Sequence, residues 1–222
     1  MASLAEILSP QQEDNLILVD LLDREVGVLP KLATHEQARL HRAFSVFLYR
    51  RARGSANATT QANATTQANA TTQANATAQG GPERIEVLVQ RRAKGKYHSG
   101  GLLTNSVCSH PRAGETLEQA VRRRIEQELG VSGVACREVG SFVYRARLAG
   151  GLTEFEYDHV FVGEYDGPVV PDPAEASEVA WVEVGELLED LAAHPSRYTA
   201  WLVTAAPMAA NAILAADLGS GA

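Results

Sequence analysis

The segment Thr116–Gly130, TLEQAVRRRIEQELG, reads as an amphipathic helix. Leu117, Ala120, Val121, Ile125 and Leu129 recur at helical spacing, so one stripe is apolar and the rest of the surface is charged. Thr116 followed three residues later by Gln119 is a capping box, and Gly130 supplies the left-handed stop. On both sides the periodicity changes to that of strands. Before the helix, Asn15–Val28 reads as a strand, an acidic turn and a second strand, Phe44–Tyr49 as a buried strand, and Ile85, Val87 and Val89 as one face of another. After it, Ser141–Arg147, Glu154–Val162 and Val179–Val184 read as strands, and Gly185–Ala193 and Thr199–Leu218 as helices. In the last of these, Pro207 predicts a break into a packed helix pair. Strands, a helix, more strands and terminal helices predict an α/β (α+β) fold, a mixed sheet with helices on its faces.

Between the strands at 44–49 and 85–89 lie four tandem hexapeptides, Ala56–Gln79, ANATTQ three times and then ANATAQ. They hold no charge and no apolar residue larger than alanine, so they cannot build a core and are expected to form a flexible loop inserted in a single domain spanning 1–222. Without these 24 residues the chain carries 47 charges in 198 residues, normal for a globular domain. Two cysteines give no disulfide framework, and MASLAEILSPQQED lacks the basic start and apolar core of a signal peptide, which predicts a reducing, cytoplasmic setting. The uncharged run Tyr198–Ala216 is too rich in alanine to predict a membrane span.

The net charge of −7 is unevenly distributed. Arg91–Arg124 holds eight basic residues against Glu115 and Glu118, whereas Leu148–Ser196 holds twelve acidic residues and no Lys or Arg. A short basic stretch in an acidic protein argues against nucleic acid and for a small anion such as a diphosphate. In Glu154-Phe-Glu-Tyr-Asp158 the period of two sets three carboxylates on one strand face, which is either a solvated face or a cation site. Cys108 and His110 share a face of a short segment in the same way, and His35 and His41 precede an apolar strand. Histidine and carboxylate donors together suit Zn, Mn or Mg.

Ser109–Val131 resembles the Nudix box, G-x5-E-x7-R-E-U-x-E-E-x-G-U with U aliphatic. Glu115, Arg123, Ile125, Glu128, Gly130 and Val131 match; Ser109, Arg124 and Gln127 depart from it. Two lost glutamates deplete the hydrolytic metal cluster of such a box. The blocks HRAFSVFL from His41, LVQRRA from Leu88, Lys96-Tyr-His, LTNSVCSHPRAGE from Leu103 to Glu115, Phe142-Val-Tyr-Arg-Ala and Glu154-Phe-Glu-Tyr-Asp-His159 closely resemble the type 1 isopentenyl diphosphate isomerases, Nudix-fold enzymes that make dimethylallyl diphosphate. The resemblance runs from about Asn15 to Trp201, the insert aside.

It implies a Nudix-like mixed sheet sandwiched by helices, and an isomerase whose substrate is isopentenyl diphosphate. Carried over residue by residue, it implies that His35, His41, His110, Glu154 and Glu156 hold Mn²⁺ or Zn²⁺. Glu128 would hold a Mg²⁺ that also touches the diphosphate. Lys31, Arg92, Lys96 and Arg124 would hold the diphosphate oxygens, which makes Arg124 an anion clamp where the box has a metal ligand. Cys108 on one side of the substrate and Glu156 with Tyr144 on the other would move the protons, with the ring of Trp201 stabilising a carbocation. The expected partners are this small molecule alone, with no nucleic acid and no membrane, acting on a monomer. Leu103 stands where the family has tryptophan, which predicts a reshaped apolar pocket, and the His35–His41 step is six residues where seven is usual. Two rival functions are a Nudix diphosphohydrolase of nucleotide or prenyl diphosphates and a non-catalytic diphosphate-binding protein.

Overall fold

The thirteen-residue strand β3 (His41–Arg53) runs through the middle of the sheet and explains most of the topology. Its residues 44, 46 and 48 are apolar and buried on one face, while Phe47 and Tyr49 are buried on the other, so both faces must be covered. The structure, a computed structural model, describes residues 15–53, 83–96 and 98–219. The hexapeptides lie outside the described residues.

A hairpin of β1 (Asn15–Val19) and β2 (Glu25–Pro30), closed by the expected acidic turn, joins β3 at Leu18↔His41. The short helix α1 (Lys31–Glu36) fills the step between β2 and β3. β4 (Glu83–Arg92) returns antiparallel to β3 from Arg53↔Glu83 to Tyr49↔Val87. Leu88 and Gln90 of β4 are as buried as its alternate residues, so this strand is interior on both faces. β5 (Leu103–Thr104) pairs with β4, and β6 (Val107–Ser109) pairs antiparallel with β3. The helix α2 (Leu117–Leu129) has the predicted capping box at Thr116 and the predicted left-handed stop, Gly130 at φ 64°. β7 (Cys136–Arg147) and β8 (Thr153–Glu164) form a long antiparallel ribbon, and β8 lies parallel to β3 from His41↔Glu156 to Tyr49↔Glu164. β9 (Ala176–Glu183) pairs antiparallel with β4, followed by α3 (Val184–Ala193) and α4 (Leu202–Gly219).

Two apolar layers sandwich the sheet. On one face Phe44, Val46, Leu48, Leu88 and Phe161 pack against Ala120, Val121, Ile125 and Leu129 of α2. On the other Phe47, Val87, Val160 and Val162 pack against α3 and against Leu202, Ala205, Ala209 and Ile213 of α4. The mixed sheet between helices is the fold class expected from the sequence.

The predicted break at Pro207 is not found: α4 is one helix with Pro207 inside it. Pro207 is exposed, and so is Val203, whose carbonyl would have accepted the missing N–H. The proline thus stands on the solvent side, while the buried Ala205, Ala206, Ala209 and Ala210 on either side of it keep the helix seated, so tertiary packing overrides the local cost. β7 and β9 also begin earlier than their alternation predicts, at Cys136 and Ala176. Among the described residues no helix is long and apolar enough to cross a membrane.

Candidate active site

Strand register builds the site. Odd residues of β3 share a face with even residues of β8, and along that face the character changes from Phe47, Val160 and Val162 at one end to His41, Glu154 and Glu156 at the other. The apolar end is capped by α4; the polar end opens into a cavity. The pairings His41↔Glu156 and Tyr144↔Glu156 set one row of functional side chains across β3, β8 and β7, and Cys108, which pairs with Ser45, stands on the same face four residues further along β3.

A cavity opens on this face, lined in part by Lys31, Arg92, Lys96, Cys108, Glu156 and Trp201, and also by His98, His110, Arg124 and Glu154. It runs on into an outer groove that shares Lys31, Lys96, His110 and Arg124 and adds Arg112 and Arg123. All four expected diphosphate ligands therefore meet at one cavity. Two expected residues stand one layer back: Tyr144 reaches the site by donating its hydroxyl to Glu156 Oε2 at 2.5 Å, and Glu128 is buried beneath Arg124. Leu103 is not on the wall, as the tryptophan substitution led us to expect; it packs instead into the core beneath α4.

His35, His41, His110, Glu154 and Glu156 are likewise brought together. His35 Nε2 is 3.2 Å from Glu154 Oε2, His41 Nε2 is 3.4 Å from Glu156 Oε1, and His110 Nε2 is 2.9 Å from that same oxygen. The shorter His35–His41 step does not remove His35 from the group, because α1 turns its ring inward and anchors Nδ1 on the Lys31 carbonyl at 2.6 Å. His41 Nδ1 donates to the Arg39 carbonyl at 2.9 Å. A ring tied to a carbonyl through Nδ1 offers the Nε2 lone pair inward, as metal-binding histidines do. His41 Nε2 and Glu154 Oε2 are buried with no hydrogen-bond partner among the described residues, although 3.9 Å apart. Buried polar atoms normally have partners. The donor chemistry and these two atoms fit a divalent cation.

His98 was missed. It lies in an irregular segment without periodicity, and the signal was its place in the Lys96-Tyr-His block, to which the resemblance gave no role. Its Nε2 is 2.6 Å from Glu154 Oε1. Glu175 was also missed; it pairs with both Lys96 and Arg124 at the mouth of the cavity.

Electrostatics assign the protons. Burial pushes the Cys108 thiol up to about 12, and Arg92, whose Nη1 donates to Sγ at 3.2 Å, only partly offsets this. The sulfur is therefore protonated at neutral pH. Burial works to raise Glu156 as well, but the neighbouring imidazoles of His110 and His41 outweigh it and hold this carboxyl well below the usual range. Burial lowers His110 to about 4, so it meets Glu156 as a neutral imidazole. Tyr144 is pushed well above its ordinary value by burial and by Glu156, and keeps its proton. Asp158, the third carboxylate of the strand face, is raised by burial and by Glu156, and accepts from Ser45 Oγ at 2.8 Å.

Trp201 is held from both sides. Its indole N–H donates to Asn105 Oδ1 at 3.0 Å, and the Arg92 guanidinium lies 5.4 Å from its ring centroid. Asn105 in turn donates to the carbonyls of Val46 and Val107, so the Thr-Asn of the signature block is a buried brace for the pocket wall.

Fold and site together define a Nudix-domain protein: residues 71–202 match the NUDIX domain family. A solved structure from Deinococcus radiodurans has a similar fold, with a TM-score of 0.61 at 22% identity over 88% of this chain and 99% of that one. Within that class the chain belongs to the isopentenyl-diphosphate Delta-isomerase family. It is 38% identical to "Isopentenyl-diphosphate Delta-isomerase 2" of Aromatoleum aromaticum over 86% of this chain and 83% of that protein. It is 40% identical to the isopentenyl-diphosphate Delta-isomerase of Burkholderia multivorans over 85% of this chain and 89% of that one.

Proposed function

We propose that this chain converts isopentenyl diphosphate to dimethylallyl diphosphate as a single Nudix-type domain carrying a solvated 56–79 loop. The observation that carries the proposal is that Cys108 and Glu156, the latter bonded to Tyr144, line one cavity together with Lys31, Arg92, Lys96 and Arg124. The four cations clamp the diphosphate, and the apolar tail lies between Cys108 and Glu156 against Trp201. Moving the double bond needs a proton added at one alkene end and another removed from the neighbouring carbon. The Cys108 thiol faces the substrate from one side, and the ionised Glu156 with the Tyr144 hydroxyl faces it from the other. Because the reaction is reversible, each side gives a proton in one direction and takes it in the other. The face of Trp201 stabilises the tertiary cation between the two transfers.

His35, His41, His110, Glu154 and Glu156 would hold Mn²⁺ or Zn²⁺, and Glu128 would hold Mg²⁺ beside the diphosphate. Bound there, these ions supply positive charge that fixes Glu156 and neutralises the diphosphate. The enzyme is proposed to act as a monomer, and the basic residues gather at one cavity instead of forming a nucleic-acid surface. The absence of a long apolar helix among the described residues is consistent with a cytoplasmic enzyme.

Purified protein given Mg²⁺, Mn²⁺ and isopentenyl diphosphate should yield dimethylallyl diphosphate, and Cys108→Ala should abolish the product. A folded, metal-loaded sample that makes none would overturn the assignment; phosphate release instead would point to a hydrolase, against which the replacement of two box glutamates by Arg124 and Gln127 argues.

A further inference from the structure

We propose that His98 is a sixth protein ligand of the His/Glu centre, making it a closed site. The proposal rests on the reading that His35, His41, His110, Glu154 and Glu156 bind a divalent ion. The donors fall into two groups, His35 with His98 and Glu154, and His41 with His110 and Glu156, and within each group the ligand atoms lie within 4.8 Å of one another. The groups adjoin at Glu154, whose Oε2 faces His35 at 3.2 Å and His41 at 3.9 Å while its Oε1 faces His98. Donors held at about 2.1 Å from one ion lie roughly 3.0–3.4 Å apart along an edge of its coordination shell. The links along the chain of donors bracket that edge: 2.6 Å from His98 to Glu154, 3.2 Å from Glu154 to His35, 3.4 Å from His41 to Glu156 and 2.9 Å from Glu156 to His110.

His98 is also oriented as a ligand. Its Nδ1 is 3.2 Å from the Ser99 hydroxyl, the counterpart of the carbonyls behind His35 and His41, and its Nε2 points inward to Glu154. Its ring is 5.8 Å from that of His35 and meets Trp201 edge-on at 6.2 Å, so it connects the centre to the cavity wall. Four imidazoles and two carboxylates fill an octahedral shell. Catalytic metal sites keep a position open and structural sites do not. In this chain the centre thus serves to fix Glu154 and Glu156, and the substrate has no vacant position to occupy on it.

The test uses the full chain with Mn²⁺ as the probe and no diphosphate present. Pulsed electron paramagnetic resonance should count four imidazole nitrogens on one Mn²⁺ in the wild type and three in His98→Asn, with the dissociation constant for Mn²⁺ at least tenfold weaker in the variant. Metal-free melting curves of the two proteins, and of His98→Gln should the first variant melt early, separate lost ligation from lost folding. Three nitrogens in both proteins would overturn the role of His98 and leave the five-residue centre standing. A spin-coupled pair of ions would overturn the single closed site. A wild type that takes up no Mn²⁺ would overturn the underlying reading and this inference with it.

Discussion

Tyr144 and Glu156 face each other across β7 and β8, with the phenol donating to Oε2 at 2.5 Å while Oε1 lies 2.9 Å from His110. Glu156 thus divides its two oxygens between a proton-carrying hydroxyl and the histidine cluster. Tyr144→Phe removes the first contact and leaves the second. A positioned proton-transfer group contributes about 10²–10⁴-fold. We expect kcat to fall about a hundredfold, with KM and metal content unchanged, read by steady-state isomerisation and elemental analysis. An unchanged kcat would remove Tyr144 from the proton path.

Arg124 is the residue by which this box departs most from a hydrolytic one. Its Nη2 lies 2.6 Å from Glu128 and 3.3 Å from Glu175, and the guanidinium borders the cavity. A charge-assisted hydrogen bond is worth about 1.5–3 kcal/mol, so losing the clamp should raise KM roughly ten- to a hundredfold. Arg124→Met should do this with a smaller change in kcat, and Arg124→Lys should recover only part of the loss because it cannot grip two oxygens at once. A KM within twofold of wild type for both would place the diphosphate elsewhere.

The difference between what the sequence revealed and what it hid follows from the range of the interactions. α2 was legible to its caps because box, stripe and stop all lie within fifteen residues. The strands were legible in kind, but their ends depend on partners far along the chain, which is why Cys136–Gly140 of β7 carried no clear alternation. The parallel pairing of β3 with β8, which brings His41 beside Glu156, joins residues more than a hundred positions apart and leaves no local trace. The resemblance nevertheless named the members of the site, since a shared motif records the outcome of such pairings without explaining them. His98 escaped because its segment is irregular, and Pro207 misled because a local penalty was weighed without the packing that absorbs it.

Glu115 and Arg123 predict a pH-dependent contribution to stability. Both carboxylate oxygens lie 2.7 Å from guanidinium nitrogens, and Oε2 also accepts from the Arg112 amide at 2.9 Å. Burial works to raise Glu115, but the Arg123 hydrogen bonds and the Arg112 amide outweigh it and lower its pKa. A depressed carboxyl stabilises the fold above its unfolded pKa of about 4.3, and the contribution is lost as pH falls through the folded value. Glu115→Gln should therefore cost about 1–3 kcal/mol at pH 7. The gap to wild type should close in acid, where protonated glutamic acid and glutamine are nearly alike. Urea unfolding of both proteins across the acid range checks this, and a gap independent of pH would show that the ion pair is not its source.

Deleting Ala56–Gln79 tests whether the repeats take part in the fold. β3 and β4 pair out to Arg53↔Glu83, so the connection is residues 54–82, and the deletion leaves five residues in it. Five-residue loops close antiparallel hairpins readily. Loop closure costs about 0.6 kcal/mol per doubling of length, so the shortened chain should gain up to about 1.5 kcal/mol if the repeats are solvated. The expected outcome is a melting temperature equal to or above that of the full chain and a kcat/KM within twofold of it, since the cavity residues come from the other ends of these strands. A deletion variant that is insoluble, or that melts well below the full chain, would show that the hexapeptides pack against the domain and that an apparently featureless repeat contributes to its core.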